Sequence, residues 1–195
     1  SLAQRVDVAG VEFRGRYEGS TEKIEINNLT VNFGDDGKIY LPSPIEHEMP
    51  IRTLNARGRY LGDAGRLELD VVELDLDGPT ASIALNMNAG DDGISIGASG
   101  VVRDMKTDKL SRYWPNAIAT DARNWIVDHI SEGLVPEARA AMQIRTTKAG
   151  DFELLSLTGD MNLRGLTIDY LPPMPKARNA NATARFNKKK FDIFV

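Results

Sequence analysis

The side chains with the clearest chemical potential are the carboxylates Asp70, Glu73, Asp75 and Asp77, the last three falling on every second residue. A carboxylate pair is what acid–base or glycoside chemistry needs. Here the run alternates with Val72, Leu74 and Leu76, so in a strand it lines the face opposite an apolar one and reads as solvated strand surface. Asp35-Asp36-Gly37 and Asp91-Asp92-Gly93 offer oxygens to calcium. Neither continues into the spaced carboxylates and closing glutamate of a calcium loop, so both are assigned as hairpin turns. The two histidines, His47 and His129, lie in unlike contexts, and no nucleophile elbow, phosphate loop, zinc-protease or dinucleotide pattern occurs. No catalytic residue, cofactor or metal site is expected. Tyr113, Trp114 and Trp125 have apolar bodies and polar tips, which suit a carbohydrate platform, a membrane-interface anchor or a core plug, and the core is the preferred reading.

Composition narrows the classes further. The 195 residues carry a formal net charge of -4, and the one lysine cluster is Lys188-Lys189-Lys190, which argues against a nucleic-acid partner. With no cysteine there is no disulfide framework, thiolate zinc site or cysteine nucleophile. No apolar run approaches the roughly 20 residues that span a bilayer. Alternation of apolar residues reaches both ends, at Val6 and Val8 and again at Phe191, Ile193 and Val195, which suggests a piece of a longer chain. A terminal strand at Phe191 to Val195 would expose an unpaired edge, so a dimer formed through it is expected to be an artefact.

What must position any functional surface is a set of strands. A period of two dominates from Val6 to Val102. Ile24 and Ile26 alternate, then the parity flips at Asn27-Asn28 so that Leu29, Val31 and Phe33 are apolar, as a β-bulge requires. A similar flip at Val71-Val72 separates Leu67 and Leu69 from Leu74 and Leu76. Pro42 and Pro44 mark a connection or edge. Turns at Gly62–Gly65, Gly78-Pro79 and Gly90–Gly93 predict an antiparallel meander through Ile83, Leu85, Met87, Ile94 and Ile96. Glu137–Arg145 has helical composition but fits alternation, and strand is preferred because Pro136 limits an upstream helix. Strand pattern then continues through Leu155, Leu157, Met161, Leu163, Leu166, Ile168 and Ala182–Phe186.

One stretch, Lys109 to Gly133, breaks this pattern and reads as a helical pair. Thr107 is placed to cap a first helix that must stop before Pro115. A second starts near Thr120 or Asp121, with Ala122, Trp125, Ile126, His129 and Ile130 forming a buried stripe and Gly133 a left-handed cap. Tyr113-Trp114-Pro115, Arg123-x-Trp125-Ile126 and Ile130-x-x-Gly133 together resemble the AsmA-like family, YhdP type. Leu166-Thr-Ile168-Asp-Tyr170, followed by a turn containing Pro173, is a second point of likeness. The resemblance is strongest from Val101 onward; before that it rests on strand pattern.

The expected fold is mainly β: a long curled antiparallel meander over 1–105, a helical pair over 106–137 packed on the sheet, and a continuing meander over 138–195, all one β domain. The resemblance implies an open trough, and a periplasmic segment anchored in the inner membrane through a span outside this chain. Its implied cargo is phospholipid or another acyl lipid moved between inner and outer membranes, with no cofactor and no chemistry. Candidate groove residues are Ile24, Ile26, Val31, Phe33, Leu74, Leu76, Ile83, Leu85, Met87, Ile94, Ile96, Met142, Ile144, Leu155, Leu157, Leu163 and Ile168. Tyr113, Trp114, Pro115, Arg123, Trp125, Gly133, Tyr170 and Pro173 are expected to be structural. Two alternatives stand beside transport: a scaffold that binds envelope proteins, and a carbohydrate-binding β domain. Apolar alternation alone does not distinguish an open groove from a filled core.

Overall fold

A computed structural model describes residues 8–41, 46–91, 93–116, 118, 120–147, 152–171 and 173–194. Val6, Pro42, Pro44, Asp92 and Val195 therefore lie outside the described residues. The strands are β1 (Gly10–Glu18), β2 (Lys23–Asn32), β3 (Lys38–Leu41), β4 (His47–Pro50), β5 (Thr53–Leu61), β6 (Arg66–Asp75), β7 (Thr80–Gly90) and β8 (Gly93–Lys106). After a 3-10 turn at Thr107–Lys109 come α1 (Leu110–Tyr113) and α2 (Thr120–His129). β9 (Ile130–Ser131), β10 (Leu134–Thr147), β11 (Phe152–Ile168), β12 (Ala177–Asn187) and β13 (Phe191–Phe194) complete the chain.

One antiparallel sheet has the order β1-β2-β5-β6-β7-β8-β10-β11-β12-β13, with β9 added beside β11. The ends of that order do not meet, so the sheet is open. The fold class is the one expected from alternation, a mainly β meander interrupted by short helices. β3 and β4 pair only with each other, as a separate ribbon. Asp35-Asp36-Gly37 is therefore a turn but not a hairpin within the main sheet, because β2 pairs with β5 beyond the ribbon.

The parity flips are bulges. β2 carries one extra residue at Asn27–Asn28 against both neighbours. β6 carries one at Asp70–Val71, a residue earlier than the Val71-Val72 expectation. β11 carries two, at Leu155 and at Arg164–Gly165, where Gly165 has φ +65. Each bulge returns the apolar set to the same face. The registers then join into four rows across the sheet. The first is Tyr17, Ile24, Tyr60, Leu67, Met87, Ile96, Ile144 and Leu154; the second is Gly15, Ile26, Gly58, Leu69, Leu85, Ala98, Met142 and Leu157. A third runs from Phe13 through Val72, Ile83, Gly100, Ala140 and Gly159 to Phe186 and Phe191. The fourth runs from Val11 through Val31, Leu74, Val102 and Met161 to Ala184 and Ile193.

Two apolar clusters cover one end of this face. Leu110, Ile126 and Ile130 from the helical segment meet Val135, Met161, Leu163, Leu166, Ile168 and Ala182. On the other side Phe33, Ile51, Leu76 and Ala81 collect Ile39 and Met49 from the ribbon and Val31, Leu54 and Leu74 from the sheet. Glu137–Arg145 is strand, inside β10, and Pro136 sits where the pairing with β11 skips a residue, so its missing N–H breaks no ladder bond there.

The helical segment departs from expectation in detail. Residues 130–131 and 134–137 are strand and 132–133 a turn, because Ile130 and Ser131 pair with Ile168 and Thr167 and Leu134 opens the ladder with β8. Thr107 is not a side-chain cap: its hydroxyl donates to the Glu132 and Gly133 carbonyls across the chain. Gly133 caps no helix, since β9 intervenes. It has φ +98 in the turn into β10, where any Cβ would strike Leu166 and the Arg164 carbonyl. Ile51 and Leu166 are fully buried, at 0% exposure. Ile51→Ala or Leu166→Ala is expected to cost about 2–5 kcal/mol in urea unfolding, whereas Ile24→Ala, on an uncovered row, costs less than half as much.

Candidate functional site

Among the described residues, part of the apolar face is left uncovered by any other element. None of the first two rows belongs to either cluster, and among them Ile24, Ile26, Leu67, Leu69, Leu85, Met87 and Leu157 remain half-buried. Met142 is exposed, Ile94 half-buried, and Ile96 and Ile144 are buried by their own sheet neighbours. Eight candidates, Ile24, Ile26, Leu85, Met87, Ile96, Met142, Ile144 and Leu157, sit in the two rows beside Leu67 and Leu69, which were not among the candidates, and Ile94 lies one step beyond, opposite Ala89. A hollow of about 160 Å³ opens on the same face between Ile83, Ala98, Gly100, Ala140, Met142 and Phe186. Small residues at the centre of the strands and large ones around them shape it.

The remaining candidates go elsewhere. Phe33, Leu76, Leu163 and Ile168 are core, because the helices and the β3–β4 ribbon cover that end of the face. Val31, Leu74 and Ile83 pack against the second cluster, with Ile83 also reaching the hollow. Leu155 is the extra residue of a bulge, so Leu154 rather than Leu155 holds the apolar position beside Ile144. That shift was readable in principle, since Leu154 and Leu157 are three apart, but alternation through Leu155 and Leu157 fits the bare sequence equally well.

Larger hollows lie on the opposite face. One of about 1010 Å³ is bordered by Asp70, Ser82, Arg139, Asp160, Thr183 and Arg185; another of about 740 Å³ by Arg66, Glu68, Asn86, Asn88, Gln143 and Ser156. Twist makes a wide sheet concave along one diagonal on each face, so volume alone does not choose between them. Chemistry does. The 740 Å³ hollow is lined mainly by groups that water serves well, the 1010 Å³ one mixes such groups with Ala84, Val101 and Ala141, and Arg139 is already bonded to Glu137 at 2.6 Å and Arg59 to Glu68 at 2.5 Å. The apolar face is the one whose exposure to water carries a standing cost.

The carboxylates do not converge. Glu73 and Asp75 face the polar side opposite Ser82 and Thr80, and Asp70 is a bulge residue. Asp77, with φ +59, is a structural anion: it meets Arg52 at 2.6 Å and Arg112 at 3.7 Å, tying α1 to the turn before β7. His47 donates its Nε2–H to the Arg112 carbonyl at 2.9 Å and thereby straps the ribbon to the same helix. His129 donates from Nδ1 to the Trp125 carbonyl at 2.9 Å. Among the described residues no group of three His, Cys, Asp or Glu side chains is placed to hold a metal.

The structural motif residues divide by role. Tyr113 donates its hydroxyl to the Asp77 carbonyl at 3.4 Å, and burial pushes its phenol up from the ordinary range against the pull of Arg112. Trp114, ahead of Pro115, donates Nε1–H to the Ile118 carbonyl at 2.7 Å and tilts against Phe191 with centroids 6.1 Å apart. Arg123 reaches back from α2 to the Trp114 and Ser111 carbonyls at 2.8 and 3.4 Å, satisfying acceptors that the short α1 leaves unpaired. Trp125 is not a core plug: it is 40% exposed and stacks on His129, with centroids 5.1 Å apart. The two tryptophans therefore do not make one flat platform. Tyr170 and Pro173 are exposed in the loop after β11.

Comparison with protein-family models, with curated proteins and with solved structures found no match.

The two tryptophans should separate experimentally. Trp114→Ala is expected to cost about 3 kcal/mol, as for other packed aromatics, and Trp125→Ala about 1 kcal/mol, the scale of one stacked pair. Chemical denaturation monitored by circular dichroism checks the order, and the reverse order would count against the placement of both rings.

Proposed function

We propose that the chain is a lipid-carrying β module of the AsmA-like, YhdP type, whose uncovered apolar rows hold acyl chains while the headgroup stays in water. One observation carries the reading: apolar side chains from eight consecutive strands of the sheet share a face, and among the described residues no element packs on two of their rows. The sequence resemblance at Tyr113-Trp114-Pro115 and Arg123-x-Trp125-Ile126 supplies the class, and with it the periplasm, an inner-membrane anchor beyond this chain and passage of phospholipid between the two membranes. Energetics agree with such a cargo. Each methylene moved out of water contributes about 0.8 kcal/mol, so a 16-carbon chain gains on the order of 10 kcal/mol before ordering costs. The 160 Å³ hollow accommodates only a segment of such a chain, and the open rows take the remainder. No helix among the described residues is long and apolar enough to cross a membrane. Binding of this kind calls on no catalytic group, cofactor or metal.

A protein-binding scaffold is the competing role, and the same face tests it. Leu85→Asp puts a carboxylate on an uncovered row, where it can reach water; Leu163→Asp puts one at a site 2% exposed. The expectation is that Leu85→Asp keeps a cooperative thermal melt but loses binding of a fluorescent phospholipid, whereas Leu163→Asp fails to fold because an unpaired buried charge is too costly. Native mass spectrometry of gently purified protein should show copurified phospholipid. A lipid-free mass with no uptake by the unaltered chain would favour the scaffold, and collapse of the Leu85→Asp melt would mean the rows are core.

A further inference from the structure

We propose that the turn between β12 and β13 is a headgroup site, at which Lys188 and Lys189 bind the phosphate of an acyl lipid whose tail lies on the second and third rows. This rests on the lipid-carrying reading above and adds to it the chemical class of the headgroup. The second row ends on a lysine. Its last apolar residue is Leu157 on β11, and the pairing of β11 with β12 reaches Thr158 opposite Asn187. One step further brings Lys188 opposite Leu157, and the Lys188 N–H donates to the Leu157 carbonyl at 3.1 Å. Where the row calls for another apolar side chain, the strand turns and supplies an ammonium instead. Beside it the third row reaches Phe186, whose ring lies over Gly159, stacks on Phe191 with centroids 5.9 Å apart and borders the 160 Å³ hollow. From β7, which forms the far wall of that hollow, to β12 is four strand spacings, about 19 Å, the reach of one extended long acyl chain.

The turn leaves two of its lysines available for an anion. Asn187 fixes the backbone: its side-chain oxygen accepts from the N–H groups of Lys189 and Lys190 at 2.8 and 3.0 Å, and its own N–H donates to the Lys190 carbonyl at 2.8 Å. Lys190 is engaged by Asp192 at 2.9 Å. Lys188 and Lys189 are exposed, and among the described residues neither has an ion-pair partner. Charge favours the same side of the sheet. Residues 134–195 carry ten Lys and Arg against six Asp and Glu, whereas residues 1–133 carry fourteen against twenty-two, so an anion is drawn toward the strands from β10 to β13. A lysine at the rim of an apolar surface lays its methylenes along that surface and keeps its ammonium in water, so it meets a phosphate without burying a charge. A lipid with no anionic oxygen gains nothing from this placement.

Two lipids sharing one fluorescent acyl chain, phosphatidylglycerol and diacylglycerol, test this on the full chain. Phosphatidylglycerol should bind the more tightly, and Lys188→Glu combined with Lys189→Glu should weaken it roughly tenfold, since two exposed attractions become repulsions. Diacylglycerol binding and the thermal melt should stay as they are, because both side chains are exposed. Lys188→Arg should bind like the unaltered chain, and raising the salt should erase the difference between the two lipids. Lys109→Glu, at an exposed lysine of the covered end, should change nothing, and a loss there equal to that of the turn variant would reduce the effect to net charge and overturn the site. Millimolar inorganic phosphate should leave phosphatidylglycerol in place; displacement by phosphate alone would assign the turn to a soluble anion and overturn the headgroup role. Equal binding of the two lipids, or a phosphatidylglycerol affinity indifferent to the turn variant, overturns the headgroup site and leaves the lipid-carrying reading standing. Failure of the unaltered chain to bind either lipid removes both.

Discussion

The structure depends on a conflict between the two-residue period of a strand and the need to keep every apolar side chain on one face. A strand that slips by one residue sends its whole apolar set to the wrong side. Several times this sequence changes parity in mid-strand and an extra residue is extruded to restore the face, as at Asn27–Asn28, Asp70–Val71, Leu155, Arg164–Gly165 and Arg178–Asn179. The bulges are what allow one surface of so wide a sheet to be apolar across eight to ten strands. They also bend the strands that carry them, which suits a sheet that must curl without closing.

That one-sided surface is then used in two ways. At one end α1, α2 and the β3–β4 ribbon fill it into a core, pinned by His47 to Arg112, by Asp77 to two arginines and by Arg123 to the carbonyls of α1. At the other end nothing among the described residues lies on it. Core and groove are therefore neighbouring regions of the same rows, and whether a given apolar residue is structural or available depends on how far along its strand it sits. Val31 and Ile26 lie on one strand and one face, yet the first packs under the ribbon and the second stays in the uncovered row.

This explains which parts of the molecule were legible in the sequence. The meander was readable because turn residues and alternation agree, and so was the position of α2, because Thr120 and the spacing of Ile126 and Ile130 announce it. The bulge at Asn27–Asn28 showed as a parity flip, whereas the one at Leu155 was hidden because Leu155 alternates with Leu157 and its neighbour Leu154 offers a second apolar position. Phe33, Leu76, Leu163 and Ile168 were indistinguishable from groove residues, since alternation reports a face and not what covers it. Trp125 read as buried because its spacing matches Ile126 and Ile130, but the stripe of α2 is narrower than its apolar composition. The β3–β4 ribbon carried little signal: four-residue strands bounded by prolines resemble a connection, and their function is evident only from Ile51 and His47 in place.

The order of the strands has a further consequence, for the time course of folding. Almost every neighbour in the sheet is also the neighbour in sequence, and the excursions are short: the ribbon between β2 and β5, and the helices between β8 and β10. Closing such loops costs little chain entropy, so the sheet can grow by successive hairpins instead of waiting for distant strands to meet. Each added strand needs only the previous one as its template, much as repeats add in a solenoid. A chain built this way can acquire order in the direction in which it is synthesised or threaded through a pore, well before its last strand is present.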